Sequence, residues 1–245
     1  MNVETLKNST VRESRLLGKV LSPAVQLWLR SQVEQVEALQ FNIVGGDRQI
    51  LTGHIPGVAI AANHAVYQGL HLSQLQLEGT GIRVNLGQIL KGKPLRLLEP
   101  VPITGELLLE ESDLQASLQA PLLSTALTDI LTTLLKSNQA TASANPLNDR
   151  QVSWERIDIE DSQLILFGTL TDDANQTTPV ILRAGLELST PHILKLSPLQ
   201  IHFSQTTPPL NLDGFEIDLG SEVHIKELAL NSGQLMCRGH LTVLP

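Results

Sequence analysis

The chain has one cysteine, Cys237, in 245 residues, so no intrachain disulfide can form and packing must hold the fold. Aromatic residues make up 3% of the sequence, which removes the stacking platforms that single-stranded nucleic acid prefers. Charged residues are also scarce at 17%, and their balance is acidic, with a net charge of −8 and a pI near 5.3. An overall surface of that sign repels a phosphate backbone, so nucleic acid is not an expected partner. No window approaches the length of a transmembrane span. The opening twenty residues lack the apolar core and cleavage site of a signal peptide, so the expected location is cytosolic, or peripheral to a cytosol-facing membrane.

Catalytic signatures are missing as well. There is no HExxH run, no paired-cysteine ligand set, no phosphate loop, no dinucleotide fingerprint and no GxSxG elbow. The seven histidines, His54, His64, His71, His192, His202, His224 and His240, lie mostly in strand-like alternation and read as sheet residues. Two acidic groups stand out: Asp158, Glu160 and Asp161, and Glu110, Glu111 and Asp113. The first borders a turn and the second precedes a helix, where acids are expected without catalysis. The reading is therefore a non-enzyme with no catalytic residue, no metal and no cofactor.

What the chain does have is aliphatic bulk, with 42% of residues hydrophobic. The densest stretch runs from Ser112 to Lys136. Leu114 and Leu118, then Leu122, Leu123, Ala126, Leu127, Ile130, Leu131, Leu134 and Leu135, recur at helical spacing. Ser112 and Gln115 have the spacing of a capping box. Pro121 predicts a kink, or two helices meeting there.

Residues 1–15 are polar and read as a flexible segment, followed by one domain over 16–245 with a flexible loop near 138–151. Ser22-Pro23 predicts the start of a helix from about 23 to 38, carrying Val25, Trp28, Leu29, Val33 and Val36. Leu16, Leu17, Val20 and Leu21, beside Arg12, Arg15 and Lys19, give a basic, apolar opening that could lie on a membrane or dock on the domain. Beyond it, strand patterns dominate. A hairpin is predicted around Gly45-Gly46-Asp47, with Gln49–Gly53 as its second strand, followed by an apolar strand over 57–62. Leu70, Leu72, Leu75 and Leu77 alternate with one phase change that a bulge could absorb. The glycines Gly79 and Gly81 read as a tight turn. Residues 105–109, 180–188 and 193–203 follow as strands. Trp154 to Gly168 overlays Ile225 to Gly239 as a repeated hairpin, and Leu72 to Val84 is a weaker match.

These elements predict an α+β fold in which a curved antiparallel sheet packs on the apolar helix. The contact can be a solid seam or a groove. A groove lined by Val58, Ile60, Leu75, Leu77, Leu118, Leu122, Leu127 and Leu131 would take acyl chains out of water, at about 0.8 kcal/mol per buried methylene. Periodicity alone favours the seam, which would make the protein a structural or interaction domain with no ligand. Lys91, Lys93 and Arg96 are candidates for a headgroup or membrane contact, or for an ordinary solvated loop.

Residues 69–123 carry a resemblance. Gly69-Leu70, the GIRVNL run at 81–86, the KGKPLRL connection, and Asp113-Leu114-Gln115 with Ser117 are similar to the LmeA-like phospholipid-binding family, in its cyanobacterial branch. The resemblance covers nearly all of the chain beyond residue 15. It implies a long, strongly bent antiparallel sheet wrapped around a central apolar helix, as in tubular lipid-binding (TULIP-like) modules. It also implies that a phospholipid or another membrane lipid is bound or transferred, not turned over. The family offers no catalytic residues to carry over. Its exported members differ from this chain, in which no export signal is visible. With the resemblance added, the balance moves from seam to lipid wall.

Overall fold

A computed structural model describes residues 34–89, 91–137, 150–203 and 208–245. Twelve strands make it a β-rich α+β fold: β1 Gln35–Val44, β2 His54–Tyr67, β3 Leu70–Arg83, β4 Val101–Glu110, β5 Arg150–Glu160, β6 Gln163–Asp172, β7 Thr177–Thr190, β8 Ile193–His202, β9 Leu210–Leu212, β10 Phe215–Asp218, β11 Val223–Asn231 and β12 Gln234–Val243. The helices are α1 Asp47–Leu51, α2 Leu86–Ile89, α3 Glu111–Ser117 and α4 Pro121–Ser137. The strands form two sheets where a single bent one is expected. The first has the order β1-β2-β3-β4-β12-β11, and the second the order β10-β8-β7-β6-β5 with β9 also on β8. Every pairing is antiparallel.

The Ser112–Lys136 run is two helices bent by 87°. Pro121 opens the second, at the position where a missing N–H costs nothing. The predicted capping box does not form: Glu110 is the N-cap, and it makes no side-chain cap bond. Gln115 is used elsewhere. Its amide donates to the Glu155 carbonyl (2.8 Å) and its carbonyl accepts from the Ile157 N–H (3.0 Å), while Glu111 accepts from the Ile159 N–H (2.7 Å). These side chains stand in for a neighbouring strand along the free edge of β5, satisfying groups that would otherwise invite pairing with another chain. Gln115→Ala is expected to cost about 1–2 kcal/mol, since two backbone partners are lost at once. Urea denaturation would read it, and Gln115→Glu, which keeps the acceptor and loses the donor, should also fall below the parent.

The side of α4 that carries Leu131, Leu134 and Leu135 is buried with Leu118 against the second sheet, among Trp154, Ile157, Leu166, Leu182, Leu199 and Ile201. Trp154 donates its indole N–H to Thr128 (3.2 Å). A smaller cluster, Ile50, Ile55, Val84 and Leu86, closes the end of the first sheet near α1 and α2.

The repeated hairpin holds at the level of individual residues. β5–β6 and β11–β12 each shift register at matching positions, between Trp154 and Arg156 and between Ile225 and Glu227. Their turns place Ser162 (φ 69°) and Gly233 (φ 77°) at equivalent positive-φ sites. The two turns meet reciprocally: Ser162 N–H donates to the Leu230 carbonyl (3.3 Å) and Gly233 N–H to the Ile159 carbonyl (2.9 Å). The weaker match, Leu72 to Val84, lies largely within β3 and is no hairpin.

Several expectations need correction. Residues 47–51 form a helix, not a strand, so β1 pairs with β2; burying Ile50 (3% exposed) outweighs the hairpin signal of Gly45-Gly46-Asp47. Gly79 and Gly81 lie inside β3 and make no tight turn. The β3 phase change needs no bulge, because the β2–β3 register runs on from Ala65↔Leu72 to Ala62↔Leu75. Of the predicted helix at 23–38, residues 35–38 belong to β1; the remainder falls outside the described residues except for Glu34, a bend. The flexible segment 1–15, the basic apolar opening and nearly all of the loop near 138–151 also lie outside them.

Candidate functional site

In a sheet, residues directly opposite one another share a face, and neighbours along a strand alternate. The register of the first sheet therefore assembles an apolar side row by row. One row runs Ile60, Leu77, Gly105, Gly239, Ile225 from β2 to β11. Flanking rows are Ala62, Leu75, Leu107, Cys237, Leu228 and Val58, Gly79, Ile103, Leu241, Val223. β1 extends the face with Phe41 opposite Ile60 and Ile43 opposite Val58. Neither packed cluster includes Ile60, Leu75, Leu77, Ile103 or Leu107. All five remain partly exposed. An aliphatic surface of this extent, left between two cores, is the feature that a purely structural domain has least reason to keep.

Within it lies a cavity of about 220 Å³ lined by Leu75, Leu77, Ile103, Leu107, Val223, Ile225 and Leu241, with Gly105, Cys237 and Gly239 among them and Glu106, His224 and His240 also contributing. Two facing glycines give it depth. A Cβ on Gly105 would come within 2.8 Å of the Leu77 Cδ2, and one on Gly239 within 2.5 Å of the His224 carbonyl oxygen. Burial pushes the Cys237 thiol above its ordinary pKa, so it sits there as a neutral, apolar group. In the next register pair the His224 and His240 rings stack at 4.3 Å. Desolvation, followed by repulsion from His224 and Lys226, holds His240 below the ordinary imidazole value.

The eight residues expected to line one helix–sheet groove occupy four places. Leu118 (1% exposed) and Leu131 (0%) are buried in the cluster beneath the second sheet, with Leu127 packed against it, while Leu122 is exposed. Val58 packs on the smaller cluster. Ile60, Leu75 and Leu77 come together on the open face. Lys91, Lys93 and Arg96 are exposed on the connection after α2. That connection is pinned by buried Asn85, which donates to the Pro94 carbonyl (3.0 Å) and accepts from the Arg96 N–H (2.8 Å). Sequence reasoning missed Ile103, Gly105, Leu107, Cys237, Gly239 and Leu241. The signal was the matching apolar phase of β4 and β12, which only their pairing brings to one side.

Three of the six acids make structural contacts. Glu111 caps the Ile159 N–H, Asp161 accepts from the Ser232 N–H (2.8 Å), and Asp158 pairs with Arg156 (3.2 Å). Asp113 lies 3.6 Å from His64. Among the described residues no group of three or more His, Cys, Asp or Glu is placed to hold a metal ion, and no single helix is long and apolar enough to cross a membrane.

No curated protein and no solved structure matches the chain. A family model does, over residues 13–240, and its description is LmeA-like phospholipid-binding. A match over nearly the whole length, together with the aliphatic face, identifies the chain as a member of the LmeA-like phospholipid-binding family.

Proposed function

We propose that the protein binds phospholipid without turning it over, holding acyl chain against the aliphatic face of the first sheet. The observation that carries this reading is that face itself, six strands wide, with Ile60, Leu75, Leu77, Ile103 and Leu107 outside both packed clusters. A helix at the seam and a sheet as the wall reconcile the two readings of the sequence. α4 fills a core, and the sheet offers hydrocarbon to a ligand.

A cavity of about 220 Å³ is smaller than the roughly 300–1,000 Å³ of drug-sized pockets, so it suits a stretch of one chain with the headgroup outside. Burying six methylenes there gives about 5 kcal/mol. With Glu111 and Asp161 committed to backbone N–H groups and Asp158 to Arg156, the reading is of a binder or carrier. Native mass spectrometry and lipid extraction after mild purification test it. Co-purifying phospholipid that a short-chain detergent displaces is the expected result. A chain that is lipid-free and takes up no fluorescent acyl probe would overturn the reading in favour of an interaction domain that pairs through the exposed edge of β1.

A further inference from the structure

The described residues include seven exposed large hydrophobic side chains, and their distribution is uneven. Val44, Leu51, Leu98, Leu241 and Leu244 all fall at one end of the first sheet, the end away from α3. The register places them there. Val44 faces Gly57 at the close of β1, Leu51 ends α1 between β1 and β2, and Leu244 follows Val243, which faces Val101 at the start of β4. Leu98 is tied to the close of β3, its N–H donating to the Arg83 carbonyl (2.9 Å). Tyr67 and Leu122 are the two exceptions, at the opposite end.

The charge at this end is opposite to that of the chain. Arg48 on α1 and Lys91, Lys93 and Arg96 on the connection are all exposed, and among the described residues none of them forms an ion pair. Of the acids at this end, Asp47 opens α1 next to Arg48, Glu99 is engaged by Arg83 (3.5 Å) and the Glu222 carboxylate accepts from Ser221, so the cations Arg48, Arg83, Lys91, Lys93 and Arg96 outnumber them. Exposed aliphatic tips ringed by free cations, on a protein of net charge −8, fit a surface that is apolar within and anionic at its rim.

We propose that this end of the first sheet docks on an anionic phospholipid bilayer. The inference rests on the phospholipid reading above and adds to it the place where lipid enters, since Leu241 belongs both to this end and to the cavity lining. Asn85 holds the backbone of the connection at Pro94 and Arg96, so less backbone ordering is needed on contact.

Flotation of the full chain with phosphatidylcholine vesicles, with and without phosphatidylglycerol, provides the test. The native chain should float with the anionic vesicles and much less with the neutral ones. The double variant Leu51→Asp/Leu98→Asp and the triple variant Lys91→Glu/Lys93→Glu/Arg96→Glu should each lower that binding about tenfold or more. Leu122→Asp, at the opposite end, should not change it, and circular dichroism and thermal melting check that every variant folds. Flotation of the folded Leu51/Leu98 or Lys91/Lys93/Arg96 variant equal to that of the parent, or no flotation of the parent, would overturn the docking proposal. Lipid extraction from the same preparations separates the two readings: a lipid-loaded parent that does not float leaves the groove and removes the docking, and an empty parent that floats does the reverse.

Discussion

Leu77→Glu is expected to empty the groove while the protein stays folded. Leu77 lies at the centre of the apolar rows, facing Ile60 on one side and Gly105 on the other, and neither core cluster includes it. In the unliganded protein a carboxylate there keeps access to water, so its folding cost is small. Against a bound acyl chain the same carboxylate must lose its hydration or displace hydrocarbon, and a buried unpaired charge costs several kcal/mol. The expected outcome is a loss of co-purifying phospholipid of at least about tenfold, since each 1.4 kcal/mol is a factor of ten. Melting temperature should stay within a few degrees of the parent. Phosphate analysis of extracted lipid and a thermal melt on the same sample check both halves. Retention of the parent's lipid content by the folded variant would move the binding site off this face.

Leu131→Ala gives the opposite pattern. Leu131 is 0% exposed and lies with Leu134, Trp154, Leu166 and Leu182 where α4 meets the second sheet. Deleting three side-chain carbons there leaves a cavity that a packed cluster cannot fully close, at about 2–5 kcal/mol. For a chain of this size that is a fall of roughly 5–15 °C in melting temperature. Lipid content per folded molecule should be unchanged. Scanning calorimetry with lipid extraction separates the two variants: one lowers occupancy at constant stability, and the other lowers stability at constant occupancy. If Leu131→Ala emptied the protein without destabilising it, α4 would be the lipid wall and the roles assigned here would be reversed.

The legible parts of this fold were those set by short-range pattern. Pro121 marked the bend because a proline cannot continue the helical ladder, and the α4 leucines marked a buried stripe. The Trp154–Gly168 and Ile225–Gly239 repeat was readable because apolar alternation, a polar turn, Gln-Leu and a glycine recur at fixed spacing. Pairing between distant strands was not legible. Nothing local states that β12, at the end of the chain, lies beside β4, which brings Cys237 opposite Leu107 and Gly239 opposite Gly105. The candidate site depends on that pairing, so the sequence could supply Ile60, Leu75 and Leu77 from one half of the face and not the other half. The helical candidates Leu118, Leu127 and Leu131 share the apolar signature of a ligand wall, yet the second sheet covers them. Hydrophobic periodicity reports that a side is buried and is silent on what buries it. Gln115 illustrates the same limit: its spacing from Ser112 suits a capping box, and its amide is drawn instead to a strand edge forty residues on.

That amide has a further consequence for how copies of the chain can meet. With the outer edge of β5 occupied by α3, and with the Ile225 N–H on β11 donating to the Pro191 carbonyl (2.6 Å) and the Leu230 carbonyl there accepting from Ser162, the ten-residue β1 remains the long unpaired edge among the described residues. A second molecule that added through its own β1 would consume the same edge on both partners. Such an assembly closes at two by symmetry, and among the described residues it leaves no further edge of that length as a template for a third copy.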